Sequence, residues 1–240
     1  MDSRKESILQ SIIEEHICSA CPVGSKSLAE FLGFSPATIR SEMAELEREG
    51  LITQPYTSAG RVPTEKGYRY YIDNVKPDTN FTYDKNFDLN SGVDKILKLI
   101  SSASGGATSF CVTPKSIVYS GLSDTLGQKD FENQEKVIRF AKIIDNLADF
   151  IKSLEFDKAL VVRTYVGEEN PYRYARDFSC VVTCFPLESQ PCVLGVIGPT
   201  RLRYKNIIPL LNKLSRDLSK TQLLKGPFES MYKDIYWSGE

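Results

Sequence analysis

The chain has 240 residues, of which 41% are hydrophobic and 25% charged, enough for two domains with apolar cores that need no disulfides. No stretch approaches the roughly 20 apolar residues that cross a bilayer, and the first residues lack the uninterrupted apolar run of a signal peptide. These features exclude a membrane protein and predict a cytoplasmic one. The formal net charge of −1 gives no overall basic signature, so nucleic-acid binding would require a local one.

The six cysteines are predicted to be free thiols, as is usual in a cytoplasmic chain of this size. The alternative is a zinc site in which Cys18 and Cys21 are one pair and Cys180 and Cys184 the other. Zinc modules place their two pairs closer together in sequence, so neither a metal nor another cofactor is predicted. The one histidine, His16, is predicted to be a partly exposed helix residue.

Residues 1–74 carry the order helix, helix, helix, hairpin, helix. Apolar periodicity predicts helices at 3–18, after residue 25, from 36 to about 49 and after residue 64, and residues 51–54 and 61–62 predict a hairpin. The predicted helix starts are Ser3, Ser25, Ser35–Pro36 and Thr64, and the predicted stops are Gly33 and Gly50. This order predicts a winged helix-turn-helix, the DNA-binding motif whose third helix enters the major groove.

The chemistry of this segment predicts a DNA-binding surface on the third helix and the hairpin. Arg40 can reach a guanine or a phosphate, small hydroxyl side chains allow close approach, and Arg61 is suited to a narrow minor groove. The alternative for Arg61 is a surface arginine facing water. Residues 1–75 hold 8 Lys and Arg against 11 Asp and Glu, so we expect a local basic face on an acidic body. The predicted DNA-binding residues are Ser25, Lys26, Ser35, Thr38, Arg40, Ser41, Ser58, Arg61 and Arg69.

The rest of the chain predicts a linker at 75–90, an α+β domain at 91–225 and a tail at 226–240. The domain's pattern gives helices at 93–101, 131–154 and 203–222, and strands near 108–113, 116–120, 159–166, 179–185 and 192–197. The tail is rich in aromatic residues. It either docks on the domain or a partner, or is a semi-ordered terminus.

Several segments together resemble the HrcA family of bacterial heat-inducible transcription repressors. They are Pro22–Lys26, Ala37–Arg40, Met43–Glu47, Thr57–Thr64 and Gly67–Tyr71, followed by Gly121–Ser123, Gly167–Pro171 and Gly195–Arg201. The resemblance implies a winged helix-turn-helix followed by a GAF-like domain. It also implies a homodimer that binds an inverted repeat of double-stranded DNA at chaperone operons, depends on the chaperonin GroEL and is released on heat stress.

The chain departs from the family pattern in ways that bear on these expectations. It is shorter, with the loss between about Lys115 and Gly121, where the family has much of the GAF-like sheet and a dimerisation insert. The second domain is therefore expected to be a reduced GAF-like regulatory and dimerisation domain without a roomy pocket. Ser41-Glu42 replaces a common Asn-Asp, which indicates a changed operator preference.

An enzyme is not predicted, because no phosphate-binding loop is present and the single histidine rules out a His-based triad except around His16, which lies in the predicted DNA-binding segment. The prediction is a repressor of heat-shock operons. The alternative is a ligand- or partner-sensing module with weak or altered DNA specificity.

Overall fold

The computed structural model describes residues 3–74, 83, 92–156, 159–187 and 190–220. The chain divides into two compact units, Met1–Val75 and Lys76–Glu240. The predicted linker, except Tyr83, and the predicted aromatic tail lie outside the described residues.

The first unit is built from four helices and a two-stranded ladder. The helices are α1 (Ser3–Ser19), α2 (Ser25–Leu32), α3 (Pro36–Arg48) and α4 (Glu65–Asn74), and the strands are β1 (Ile52–Thr53) and β2 (Val62–Pro63), paired antiparallel. Ile8, Ile12 and Ile13 of α1 are completely buried, and α3 contributes Ile39 and Leu46 to the same apolar interior. The helical spacing of these apolar side chains is why α1 and α3 pack along one face each.

Local signals set most helix ends in this unit. The Thr38 N–H donates to Ser35 Oγ over 3.1 Å at the start of α3, and the Gly67 N–H donates to Thr64 Oγ1 over 3.0 Å at the start of α4. Gly33 ends α2 at φ 72°, a conformation that costs glycine little. The predicted cap at Ser25 is wrong, because Ser25 is already helical and the cap position is Gly24, which lacks a side chain.

The second unit is an α+β arrangement around a five-stranded antiparallel sheet. Its strands are β3 (Thr108–Thr113), β4 (Ser116–Ser120), β5 (Val162–Val166), β6 (Ser179–Leu187) and β7 (Gln190–Gly198), in the order β4-β3-β7-β6-β5. The helices are α5 (Val93–Ser104), α6 (Leu122–Leu126), α7 (Gln134–Asp145), α8 (Leu147–Ser153) and α9 (Tyr204–Lys220). All five predicted strands are present.

Helices cover both faces of this sheet. Alternate strand residues such as Phe110, Val182 and Val193 join the core formed with α7 and α8. The opposite face meets α5, where Ser109 Oγ donates to the carbonyl of Leu97 over 2.7 Å, and α9 packs against β6 and α5. Strand residues therefore alternate between two apolar layers, which is why β6 and β7 are buried almost throughout.

Three predicted elements differ from the structure. The predicted helix at 131–154 is interrupted at Asn146, whose φ of −119° and ψ of 39° separate α7 from α8. Strand β5 begins at Val162 rather than at 159, because Leu160 takes a φ of 60°. The predicted helix at 93–101 continues to Ser104, and Gly105 ends it at φ 94°.

Candidate nucleic-acid interface

The first two turns of α3 form an exposed surface of small side chains around one arginine. Ala37, Arg40 and Ser41 are exposed, whereas Ile39 between them is completely buried. Ser35 and Thr38 are joined by a side-chain hydrogen bond of 2.9 Å that belongs to the helix cap. Of the predicted contact residues, α3 therefore brings four onto its amino-terminal half.

Arg40 is available because the carboxylates of its own helix are engaged elsewhere. Among the described residues no ion pair involves Arg40, and the same holds for the exposed Lys26 of α2. An exposed arginine without an intramolecular partner can approach a phosphate or a guanine without first breaking a salt bridge.

The later turns of α3 are acidic, and their charges pair with α1. Glu42 Oε1 lies 2.8 Å from Arg4 Nη2, and Lys5 Nζ contacts Glu45 at 2.8 Å and Glu49 at 2.9 Å. These contacts raise the pKa of Lys5 through its hydrogen bonds to both carboxylates, and the hydrogen bond from Lys5 lowers the pKa of Glu45. The acidic half of α3 is thus partly neutralised from within the unit.

The hairpin loop, residues 54–60, follows α3 and β1 in the chain and contains Ser58 at φ 69°. Gln54 Nε2 donates to the carbonyl of Ala59 over 3.1 Å and narrows the loop. Tyr56 of this loop is 66% exposed, and it is not among the predicted DNA-binding residues.

Arg61 occupies a different environment from the one expected at a loop tip. Its guanidinium contacts Glu47 Oε2 at 2.9 Å, and its backbone exchanges two hydrogen bonds of 2.8 and 2.9 Å with Val23. With 22% of its side chain exposed, Arg61 links α3, the hairpin and the segment before α2. The sequence could not show this contact, because Glu47 lies 14 residues away.

The remaining predicted contacts have partners or are partly covered. Arg69 Nη1 lies 3.4 Å from Asp73 Oδ1 one turn later in α4, and Ser25 is half-buried. Lys66 Nζ donates to the carbonyl of Glu49 over 2.8 Å, which caps the end of α3. Phe31 of α2 is 80% exposed, an apolar surface residue that helical periodicity alone does not identify.

The cysteines do not form a metal centre in the part of the chain that the structure describes. No cluster of three or more His, Cys, Asp and Glu side chains occurs there with metal-binding geometry. Cys180 and Cys184 are buried in β6, whereas Cys18 and Cys21 are exposed in the first unit. Within the same residues, no helix combines the length and the hydropathy of a membrane span.

Comparison with known proteins finds both sequence relatives and solved structures that are similar to this chain. The chain is 44% identical over 119 residues to the heat-inducible transcription repressor HrcA of Acetivibrio thermocellus, covering 46% of this chain and 34% of that protein. It is 58% identical over 81 residues to the protein of the same name from Kineococcus radiotolerans, covering 32% of this chain and 23% of that protein. The matches thus span about a third or less of these relatives. None of the relatives compared is named as an enzyme.

The fold is shared with a solved structure titled as a hypothetical protein at 2.2 Å resolution. The two superpose with a TM-score of 0.70 at 18% identity over 92% of this chain and 100% of that one, which shows a common fold. The model of the HrcA protein C-terminal domain matches residues 78–208, more than half of the chain. The chain therefore belongs to the HrcA family.

Proposed function

We propose that this chain is a cytoplasmic, sequence-specific transcription repressor of heat-shock (chaperone) operons whose first unit is a winged helix-turn-helix. In this proposal α2 and α3 are the helix-turn-helix, β1 and β2 with their loop are the wing, and α3 enters the major groove. The observation that carries the proposal is the polarity of α3. Its first two turns are exposed and small around Arg40, and its carboxylates are paired with α1 and with Arg61.

The proposed contacts divide into base contacts and backbone contacts. Arg40 reads a guanine or holds a phosphate, and Ser41 and Thr38 approach base edges. Lys26 and Ser25 bind phosphates from α2, and Ser35 joins them from the start of α3.

The wing has a smaller share of the interface than its sequence suggests. Ser58 lies in the loop and can reach the backbone of DNA. Arg61 stabilises the wing through Glu47 and Val23, and it enters a groove only if it leaves Glu47. Arg69 likewise has to exchange Asp73 for a phosphate.

The assembly and its control are also part of the proposal. One chain holds one reader, so a dimer formed by the second unit, a reduced GAF-like domain, would present two α3 helices to an inverted repeat. The relatives are named heat-inducible, which supports the proposal that heat stress releases this chain from DNA. We also propose, from the resemblance to the family, that GroEL keeps the repressor competent.

The contact made by Arg40 can be separated from simple charge effects by a matched pair of variants. Arg40→Ala should weaken binding to a single half-site by about 5- to 150-fold, since a specific arginine contact contributes about 1–3 kcal/mol, and it should weaken binding to the full repeat by more because two Arg40 side chains are lost. Arg48→Ala removes an equal charge from the same helix, and its side chain is 76% exposed near the other end. We expect the control to bind within about twofold of wild type. Equal losses for the two variants, or none for Arg40→Ala, would refute the placement of α3 in the groove.

A further inference from the structure

The second unit contains an open cavity at one edge of its sheet, contrary to the expectation that no roomy pocket is present. Its volume is about 440 Å³, and it lies between the β3–β4 hairpin and α8. This volume falls within the range of about 300–1,000 Å³ that small-molecule sites occupy.

The cavity exists because the core does not extend to the edge strand. Residues of β3, β6 and β7 join the buried core with α7 and α8, but that core contains no residue of β4. Ile117 and Tyr119 of β4 are consequently 47% and 46% exposed. An apolar strand face beside an open cavity is unfavourable in water and gains by contact with an apolar ligand.

The accessible lining of the cavity is part aliphatic and part polar. Ile117 and Ala148 supply its accessible aliphatic surface, above Val112, Ile151 and Val193, which are buried in the core. Thr113 and Ser116 also line it. Its aliphatic part suits the alkyl portion of a ligand.

The rim of the cavity is cationic. Lys115 of the hairpin and Lys152 of α8 both line it, and its lining includes neither an aspartate nor a glutamate. Lys152 Nζ is 4.0 Å from Asp149 Oδ1, the limit of an ion pair, and Lys115 has no ion pair among the described residues. Two ammonium groups above an aliphatic pocket complement a single negative charge on an alkyl chain.

From this juxtaposition we propose that the cavity binds an amphipathic carboxylate, its alkyl chain against Ile117 and Ala148 and its carboxylate between Lys115 and Lys152. The site lies in the second unit and does not depend on the proposed repressor function.

The experiment titrates the full chain with decanoate, below its micelle concentration, and follows methyl resonances by NMR. Decanol, with the same chain and no charge, and acetate, with the charge and no chain, are the ligand controls. Decanoate should shift the methyl groups of Val112, Ile117 and Ile151 and bind more tightly than decanol, and acetate should not bind.

Variants test the two halves of the site separately. Lys115→Ala with Lys152→Ala should weaken decanoate binding about 2- to 30-fold, as expected for two exposed ion pairs, and leave decanol binding unchanged. The matched control is Lys95→Ala with Lys98→Ala, two exposed lysines of α5. Ala148→Trp should fill the cavity and abolish binding of both ligands, whereas Ala141→Trp on the exposed side of α7 should not.

Three results would each overturn the proposal. They are no decanoate binding, equal affinity for decanol and decanoate, and shifts confined to residues outside the cavity. The double lysine variant changes only surface charge, so it decides the matter even if Ala148→Trp lowers the thermal stability of the protein.

Discussion

Substitution of Gly60 by alanine should loosen the β1–β2 hairpin, because the backbone there leaves no room for a side chain. A Cβ at Gly60 would overlap the carbonyl of Val23 and lie 2.8 Å from the Val23 nitrogen. Those atoms belong to the bridge between Val23 and Arg61, whose two backbone hydrogen bonds measure 2.8 and 2.9 Å. These contacts of the added Cβ are with backbone atoms of Val23, so the clash cannot be relieved by rotating a flexible side chain.

The magnitude follows from the bonds at stake. Each backbone hydrogen bond contributes about 0.5–1.5 kcal/mol, so losing the bridge lowers its local stability by about 1–3 kcal/mol. Because about 1.4 kcal/mol is a factor of ten, the exchange protection of the Val23 and Arg61 amides should fall roughly 5- to 150-fold. Native-state hydrogen exchange followed by NMR measures both amides directly.

The control is Gly24→Ala in the same unit. Gly24 has a φ of −88°, and nothing lies within 4 Å of a Cβ placed there. We expect its effect on the bridge amides to be small. If Gly60→Ala leaves the exchange of the Val23 and Arg61 amides unchanged, the packing of the β1–β2 hairpin against the segment before α2 is not as described.

Three further predictions concern the second unit. Asn170 is completely buried and donates to two backbone carbonyls at 2.9 Å. Asn170→Ala should therefore lower the free energy of unfolding, measured in urea, by about 1–3 kcal/mol. Asn170→Asp should lower it by more because a carboxylate cannot donate, and a smaller effect for Asn170→Asp would contradict this reasoning. Arg201→Ala should cost about 1–3 kcal/mol in the same assay, since Arg201 Nε lies 2.8 Å from Asp130 in a largely buried pair; a change within about 0.5 kcal/mol would refute it. Burial raises the pKa of the Cys180 thiol, so the stability contributed by the neutral thiol is complete below the ordinary thiol pKa and is lost as pH rises above that value. The melting temperature should therefore fall less between pH 8 and 10 for Cys180→Ala than for the wild type, and equal slopes would exclude this cause.

Local sequence signals were sufficient for the helices of the first unit. Ser35-Pro36 defines the start of α3 because serine accepts a backbone N–H and proline needs none there. The cap of α2 is Gly24 and not the predicted Ser25. Glycine and serine are both common cap residues, and the sequence does not show which of the two takes the extended conformation.

The break between α7 and α8 could not be found from apolar spacing. Phe140, Ile143, Leu147 and Phe150 continue one helical face across Asn146, and all four are buried in one core. Asparagine is only mildly unfavourable within a helix, so we attribute the break at Asn146 to packing against the sheet rather than to the local sequence.

The candidate interface was predictable in its helix but not in its electrostatics. The position of Arg40 follows from the helical pattern of α3. The ion pairs of Arg61 and of the α3 carboxylates do not follow from that pattern. Arg61 lies 14 residues from Glu47, and Arg4 and Lys5 are separated from their carboxylate partners by 38 residues or more. Of the basic residues predicted to contact DNA, Arg61 and Arg69 have carboxylate partners, whereas Lys26 and Arg40 have no ion pair among the described residues.

The most direct test of the proposed function is fluorescence anisotropy with three duplexes of equal length: the inverted repeat upstream of the host's chaperone genes, a single half-site and a scrambled sequence. The salt concentration is varied, since phosphate contacts make affinity fall as salt rises. A strong preference for the full repeat that persists across the salt series is the predicted result, because two readers on one dimer bind two half-sites together. Equal and weak binding to all three duplexes would contradict the account of this chain as a dimeric, sequence-specific repressor.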